Sequence, residues 1–369
     1  MDITPFLKLM VDKGASDLFF SVGAPPCIKI EGKLAAVGQT SLKPEQLSEI
    51  AASLMNDQQR KEFEATMELN MALSVEGTGR FRVNMFRQRG HIAIVVRYLK
   101  GVIPSIEELH LPLILQTLIM ELRGLILVVG STGSGKSTTL ASMIDYRNEH
   151  YRGHILTIED PIEFIYEHKK SIVDQREVGI DTLNFDNALK NAMREAPDVI
   201  LIGEIRDRNT MKHAIAYAET GHLCLSTLHA NNANQTMDRI INFFPEDAKL
   251  QILQDLALNL RAIISLRLIP GINSVRVPAV EILINSPYIS DLIEKGKIDE
   301  IKEAMERGRE QGMQTFDQAL FDLYKQGKIS KENAIKYADS KNNVGLKIRL
   351  SEDKPHSGGE DLTIQPDDV

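Results

Sequence analysis

The sequence predicts an α/β fold: a small amino-terminal α/β domain, a larger domain built on a parallel sheet, and a charged helical appendix. Three observations predict it. Between residues 125 and 227, short apolar, β-branched runs alternate with segments of helical periodicity, the order that a parallel sheet covered by helices requires. A Gly-rich loop stands between one such run, residues 125–129, and a Gly- and Pro-free segment over 136–146, the strand–loop–helix setting of a phosphate-binding loop. After Pro287 the chain turns helical and highly charged. Its 369 residues suit two or three domains, and 43% hydrophobic content is ample for packed cores.

Residues 1–100 form the first unit. Residues 26–37 alternate around Glu31 and Gly32 as a hairpin does, residues 80–86 alternate again, and residues 92–97 form a further apolar strand. In the strand at 80–86 a period of two puts Arg80, Arg82 and Asn84 on one face and Phe81, Val83 and Met85 on the other. One face is core and the other presents cations. Residues 101–112, with Gly101, Pro104 and Pro112, are the expected linker and hinge. Residues 113–286 hold the parallel sheet, with strands at 125–129, 154–158, 199–202 and 223–227 and helices from 136, over 185–195 and over 211–219. Across 245–268 the apolar residues recur at helical spacing. A helical appendix is expected over 287–345. A disordered acidic tail is expected over 346–369, because residues 351–369 hold six acidic residues against one Lys, two prolines and almost nothing apolar.

The loop runs Gly130, Ser131, Thr132, Gly133, Ser134, Gly135, Lys136, Ser137, with Thr138 next in the helix. Its glycines let the backbone turn tightly and aim N–H groups at a triphosphate on the positive end of that helix. Lys136 is placed to reach the β- and γ-phosphates, and Ser137 to offer a hydroxyl to Mg²⁺. The sequence therefore predicts a nucleoside triphosphate site.

Three further segments share this domain. Residues 155–164 form a strand ending in Glu159, Asp160 and Glu163. Ligands of a parallel α/β sheet bind beyond the carboxyl ends of its strands, so these acids face the loop and can orient water or hold Mg²⁺ through its waters. An acidic helix N-terminus would show the same pattern. Residues 198–207 form an apolar strand followed by Glu204, a Walker B strand in which Gly203 stands where Asp is expected. His229 leaves the strand at 223–227 at its ligand-binding end, which favours a γ-phosphate sensor, whereas His222, Cys224 and His229 lack a metal-site spacing.

Composition excludes other classes. A net charge of -8 argues against a large nucleic-acid footprint. Cys27 and Cys224, far apart, supply neither a disulfide framework nor a four-cysteine zinc site. No apolar run approaches a membrane span, and residues 1–5 have neither the basic region nor the apolar core of a signal peptide, so a cytoplasmic location is expected.

Together the phosphate loop, the Asp box at 155–164, the Walker B stretch ending Gly203, Glu204, Ile205, Arg206, Asp207, and the His box Ser226, Thr227, Leu228, His229 resemble the secretion ATPases of type II and type IV pilus systems. The resemblance extends over about residues 1–345. Within that family the chain is similar to the retraction ATPases of the PilT/PilU group. It starts almost directly with Gly14, Ala15, Ser16, Asp17 and Leu18, lacks the zinc site of the assembly ATPases, and carries Gly312, Met313, Gln314, Thr315, Phe316 and Asp317. Two departures from PilT put it nearer PilU. Residues 288–293 replace the Ala-Ile-Arg-Asn-Leu-Ile motif linked with retraction, and residues 194–198 read Arg-Glu-Ala-Pro-Asp where PilT usually has Arg-Gln-Asp-Pro-Asp.

The resemblance implies a PAS-like N-terminal domain, a RecA-like P-loop ATPase domain and a helical C-terminal appendix. It implies a homo-hexamer that hydrolyses ATP with Mg²⁺ to power type IV pilus retraction, peripheral to the inner membrane at the pilus base. A PilT-type paralogous ATPase and the inner-membrane platform protein would be its partners, with no nucleic acid. It also implies roles: Lys136 and Ser137 on phosphate and Mg²⁺, Glu204 as Walker B acid on the metal side, and His229 on the γ-phosphate. Glu163 would polarise water, with Glu159 and Asp160 as rivals, and Arg80, Arg82 and Arg97 would approach nucleotide at the subunit boundary. Two rival readings are a RecA-like nucleic-acid or conjugation motor and a non-autonomous subunit that acts by binding PilT.

Overall fold

A computed structural model describes residues 2–30, 32–99, 101–273 and 275–352. Alternating sequence in the first hundred residues builds an antiparallel sheet. Its strands are β1 (Asp17–Phe20), β2 (Cys27–Ile30), β3 (Lys33–Ala36), β4 (Glu68–Val75), β5 (Gly79–Gln88) and β6 (His91–Leu99), in the order β3-β2-β1-β6-β5-β4. The period-two pattern in β5 holds: Phe81, Val83 and Met85 are fully buried against Leu7, Leu47, Ile50 and Phe63 from the covering helices, and Arg80, Arg82 and Asn84 take the opposite face.

The larger sheet contains β7 (Gly124–Gly130), β8 (His154–Glu159), β9 (Ile172–Glu177), β10 (Val199–Ile202), β11 (Leu223–Leu228), β12 (Leu260–Pro270) and β13 (Arg276–Ile284). Its order is β13-β12-β7-β11-β10-β8-β9, parallel throughout except for the β12–β13 hairpin. Along β7, Leu125, Leu127 and Val129 enter one apolar layer and Ile126 and Val128 the other, so helices cover both faces. This two-sided burial also explains a difference from expectation. Residues 245–268 are a helix only over Lys249–Asn259, and then become β12, whose Leu260 and Ile263 join one layer while Ala262, Ile264 and Leu266 join the other. A strand buried on both faces is a continuous apolar run, and its period cannot be told from that of a buried helix.

Two further differences concern the joints. Residues 101–112 are largely tied down: Ile106 and Leu111 are buried in the larger domain's core, and Ser142 Oγ donates to Pro104 O at 2.6 Å. Gly101 and Val102 are exposed. The appendix also runs past residue 345, because the helix Lys341–Glu352 buries Val344 and Ile348, one turn apart, against Phe316 and Leu320. The expected tail beyond it, residues 353–369, lies outside the described residues.

Candidate nucleotide site

β7, buried along its whole length, delivers the loop to the carboxyl edge of the sheet. Gly130 has φ +152, and a Cβ there would lie 2.4 Å from Ser134 Oγ and 2.7 Å from the Leu266 carbonyl. Only glycine fits. Gly135, at φ +95, caps the helix Lys136–His150 and turns its free N–H groups into the loop's concavity. Ser134 Oγ is buried and lacks a hydrogen-bond partner, and Lys136 Nζ donates to the carbonyls of Gly130 and Ser131, both at 3.0 Å. Burial lowers the Lys136 pKa, opposed by the charges of Glu204 and Glu163.

The ends of β7, β8, β10 and β11 enclose about 240 Å³ lined by Thr132, Gly133, Lys136, Ser137, Glu159, Asp160, Glu163, Glu204, Arg206 and His229. Lys136, Ser137, the three acids of the Asp box, Glu204 and His229 meet here. Glu204 is held from both sides: His229 Nε2 stands 3.1 Å from one carboxylate oxygen, and Arg206 Nε donates to the other at 2.7 Å. Arg206 Nη1 also lies 3.5 Å from Asp160. In the sequence Arg206 is visible only as part of the Walker B stretch. Its signal was the two-residue spacing that returns it to the side of Glu204 just past the strand end. Gly203 has a packing reason, since a Cβ would stand 3.2 Å from Glu159 Cα and from the Ile158 carbonyl. Thr227 Oγ1 donates to Gly203 O at 2.7 Å and locks the two strand ends together.

The three acids of the Asp box differ in setting. Glu159 turns inward: Thr157 Oγ1 donates to it at 2.7 Å and Gln175 Nε2 lies 3.4 Å away. Burial pushes its carboxyl up to about 7, against those two hydrogen bonds and with a smaller push from the charge of Glu163. Glu163 is exposed toward the cavity, and Asp160 is engaged by Arg206.

Glu281 on β13, 2% exposed, is likewise pushed up to about 7 by burial. These two groups fix a pH dependence. From about pH 4.5 to about 7 the folded chain keeps protons that the unfolded chain has lost, so stability is highest below that window and falls as pH rises through it. Each group contributes at most about 1.4 kcal/mol per pH unit. Urea unfolding midpoints should therefore drop between about pH 5 and about pH 7.5, and the Glu159→Gln/Glu281→Gln pair should flatten that drop.

The three N-terminal arginines stand elsewhere. None lines this cavity among the described residues. Arg97 Nε donates to Asp17 at 2.8 Å, and Arg82 lies directly opposite Arg97 in the sheet. Arg82 and Arg80 direct their charge at Glu177 at the end of β9, whose carboxyl is raised by burial and held down by the Ile162 N–H and then by these two cations. A second, largely apolar cavity of about 550 Å³ adjoins the loop on its other side, where Ser134, Gly135, Thr138 and Thr139 meet Leu109, Leu268, Ile272, Val277 and Pro278.

A family model described as "Type II/IV secretion system protein" matches residues 2–344. The chain belongs to this family. Among its members, the "Type IV pilus ATPase PilU" of Pseudomonas aeruginosa is 53% identical over 95% of this chain and 92% of its own length. The "Type IV pilus retractation ATPase PilT" of the same organism is 44% identical over 90% and 97%. A crystal structure of the pilus retraction motor PilT with bound ADP superposes with a TM-score of 0.86 at 42% identity, covering 92% of this chain and 98% of that one. The resemblance to the PilT/PilU group of this secretion family, and to its PilU branch, is borne out.

Proposed function

We propose that this chain is a Mg²⁺-dependent ATP hydrolase of the type IV pilus retraction machinery. The observation that carries this reading is the meeting of Lys136, Ser137, Glu163, Glu204 and His229 in one cavity at the carboxyl ends of four strands. Lys136 would exchange its two carbonyl partners for β- and γ-phosphate oxygens, and the loop's N–H groups would hold the chain of phosphates. Glu163 would take a proton from the attacking water while the bond from the γ-phosphorus to the bridging oxygen breaks and ADP leaves. His229, resting on Glu204, would face the γ-phosphate. The donor set fits a hard cation that arrives with nucleotide, since the Ser137 hydroxyl and the Glu204 carboxylate are oxygen donors lining the same cavity. Mg²⁺, when bound, neutralises charge on the phosphate oxygens, and Ser137 and Glu204 would hold it, Glu204 through water. The apolar cavity beside Thr138 has room for the base.

The working form would be a homo-hexamer in which Arg80, Arg82 and Arg97 approach nucleotide at the subunit boundary, with bending at Gly101 and Val102 converting turnover into work. No helix among the described residues is long and apolar enough to cross a membrane. The chain would act from the cytoplasmic face, against the inner-membrane platform protein at the pilus base.

One observation favours dependence on a PilT-type partner. In the helix Pro287–Glu294 the positions shared with the PilT motif, Ile289, Leu292 and Ile293, are buried, whereas the departing Tyr288 is 56% exposed and Asp291 pairs outward with Lys295. Two of the three departures thus change the surface, while the third, Ser290, is half-buried and donates to the Ala257 carbonyl at 2.8 Å. ATP hydrolysis by the purified full chain, alone and with a PilT-type ATPase, tests both readings. Turnover that requires Mg²⁺ and is present without partner is expected of an autonomous motor, and turnover only with partner would establish the accessory role.

A further inference from the structure

His229 reaches Glu204 from a turn, residues 229–232, whose backbone is held from behind. Arg239 Nη1 donates to the His229 carbonyl at 2.8 Å, and Arg267 Nη2 donates to the Asn231 carbonyl at 3.3 Å. At the far end of the turn, Glu281 accepts the Ala233 N–H at 2.8 Å. Arg267 is the member of this set that faces two ways. Its Nη1 donates to the Tyr337 carbonyl at 3.1 Å and pairs with Asp339 at 2.7 Å, and its guanidinium lies 3.8 Å from the Phe316 ring centroid. Tyr337 and Asp339 belong to the turn between the last two helices of the appendix. That turn is itself fastened, because the N–H groups of Asp339 and Ser340 donate to Asp317, which is 4% exposed.

From this chain of contacts we infer that Arg267 is a positioning residue that couples the C-terminal appendix to the γ-phosphate side of the nucleotide site. A shift of the appendix turn moves the guanidinium that holds the Asn231 carbonyl, and with it the seat of His229 on Glu204. Arginine suits the task. A planar fork can bridge two backbone carbonyls and a carboxylate while lying on an aromatic face, whereas a lysine ammonium offers one point charge and no plane. The coupling deepens the hydrolase reading and rests on it for its catalytic consequence. Its structural consequence is separate: nucleotide binding should be felt at residues 337–345.

The test uses the full-length chain as wild type, Arg267→Lys, Asp339→Asn and the double variant. Arg267→Lys is expected to lower kcat about ten- to a hundredfold, with KM for ATP within about twofold, because the misplaced group acts after substrate has bound. The double variant should be no worse than Arg267→Lys, since both substitutions cut one path. Hydrogen exchange of residues 337–345 should respond to ATP or ADP in the wild type and lose that response in Arg267→Lys. An unchanged kcat, additive losses in the double variant, or a nucleotide response retained in Arg267→Lys would each overturn the coupling; a lowered melting temperature alone would mark Arg267 as merely structural. If the wild type shows the exchange response yet hydrolyses no ATP, the hydrolase reading falls and the coupling stands.

Discussion

Lys136→Ala is expected to lower ATP turnover by at least about a hundredfold at saturating ATP while leaving the thermal unfolding of the chain almost unchanged. The two halves follow from different contacts. Lys136 is the only cation that the phosphate loop itself places in the cavity, and a fixed donor aimed at transferring phosphate oxygens contributes on the order of 10²–10³ in rate. Its cost to the fold is small. Burial already works against its charge, and of the two carbonyls it leaves, that of the exposed Ser131 is open to water while that of Gly130 sits at the end of β7. Phosphate release and a circular-dichroism melt on the same preparation check both halves. Turnover at the parent's rate would remove Lys136 from the site, and a collapsed melt would make it a structural lysine.

Much of this site was legible because its parts leave strands whose sequence has one interpretation. The runs before Gly130 and Gly203 are short, β-branched and bounded by turn residues, so both the strands and the ends from which ligands are reached could be placed. The same reasoning failed at β12, which follows the helix Lys249–Asn259 with no Gly or Pro between them, so nothing in the continuous apolar run marks where helix gives way to strand. It also failed where a polar side chain acts across the fold. Arg267 lies 36 residues from Asn231 and 70 from Tyr337, separations at which local spacing carries no information. The linker misled for a related reason: Gly and Pro mark breaks in secondary structure, but only packing shows that Ile106 and Leu111 anchor the segment to the larger domain. For Arg80, Arg82 and Arg97 the exposed face of a strand was legible, but the group that each cation meets was not.

The acids of the Asp box give the second large effect, because the structure separates three carboxylates that sequence alone left as rivals. Glu163→Gln is expected to reduce kcat about 10²- to 10⁴-fold with little change in KM, as for loss of a general base that acts only once substrate is bound. Glu163, like Asp160, is exposed and lines the cavity, but among the described residues no Arg engages it, and its charge is felt by both Lys136 and Glu159. Glu159 is poorly suited to the task. Its carboxyl is enclosed beside Thr157 and Gln175, so Glu159→Gln should alter the pH dependence of stability more than it alters turnover near neutral pH. Asp160 is held by Arg206, which also grips Glu204, so Asp160→Asn should act indirectly by loosening Glu204. Steady-state kinetics on the three variants orders them: the largest fall in kcat belongs to Glu163 if it polarises the water. A larger fall in Glu159→Gln would move the base inward to the buried carboxyl, and the open position of Glu163 would then be explained by binding rather than by proton transfer.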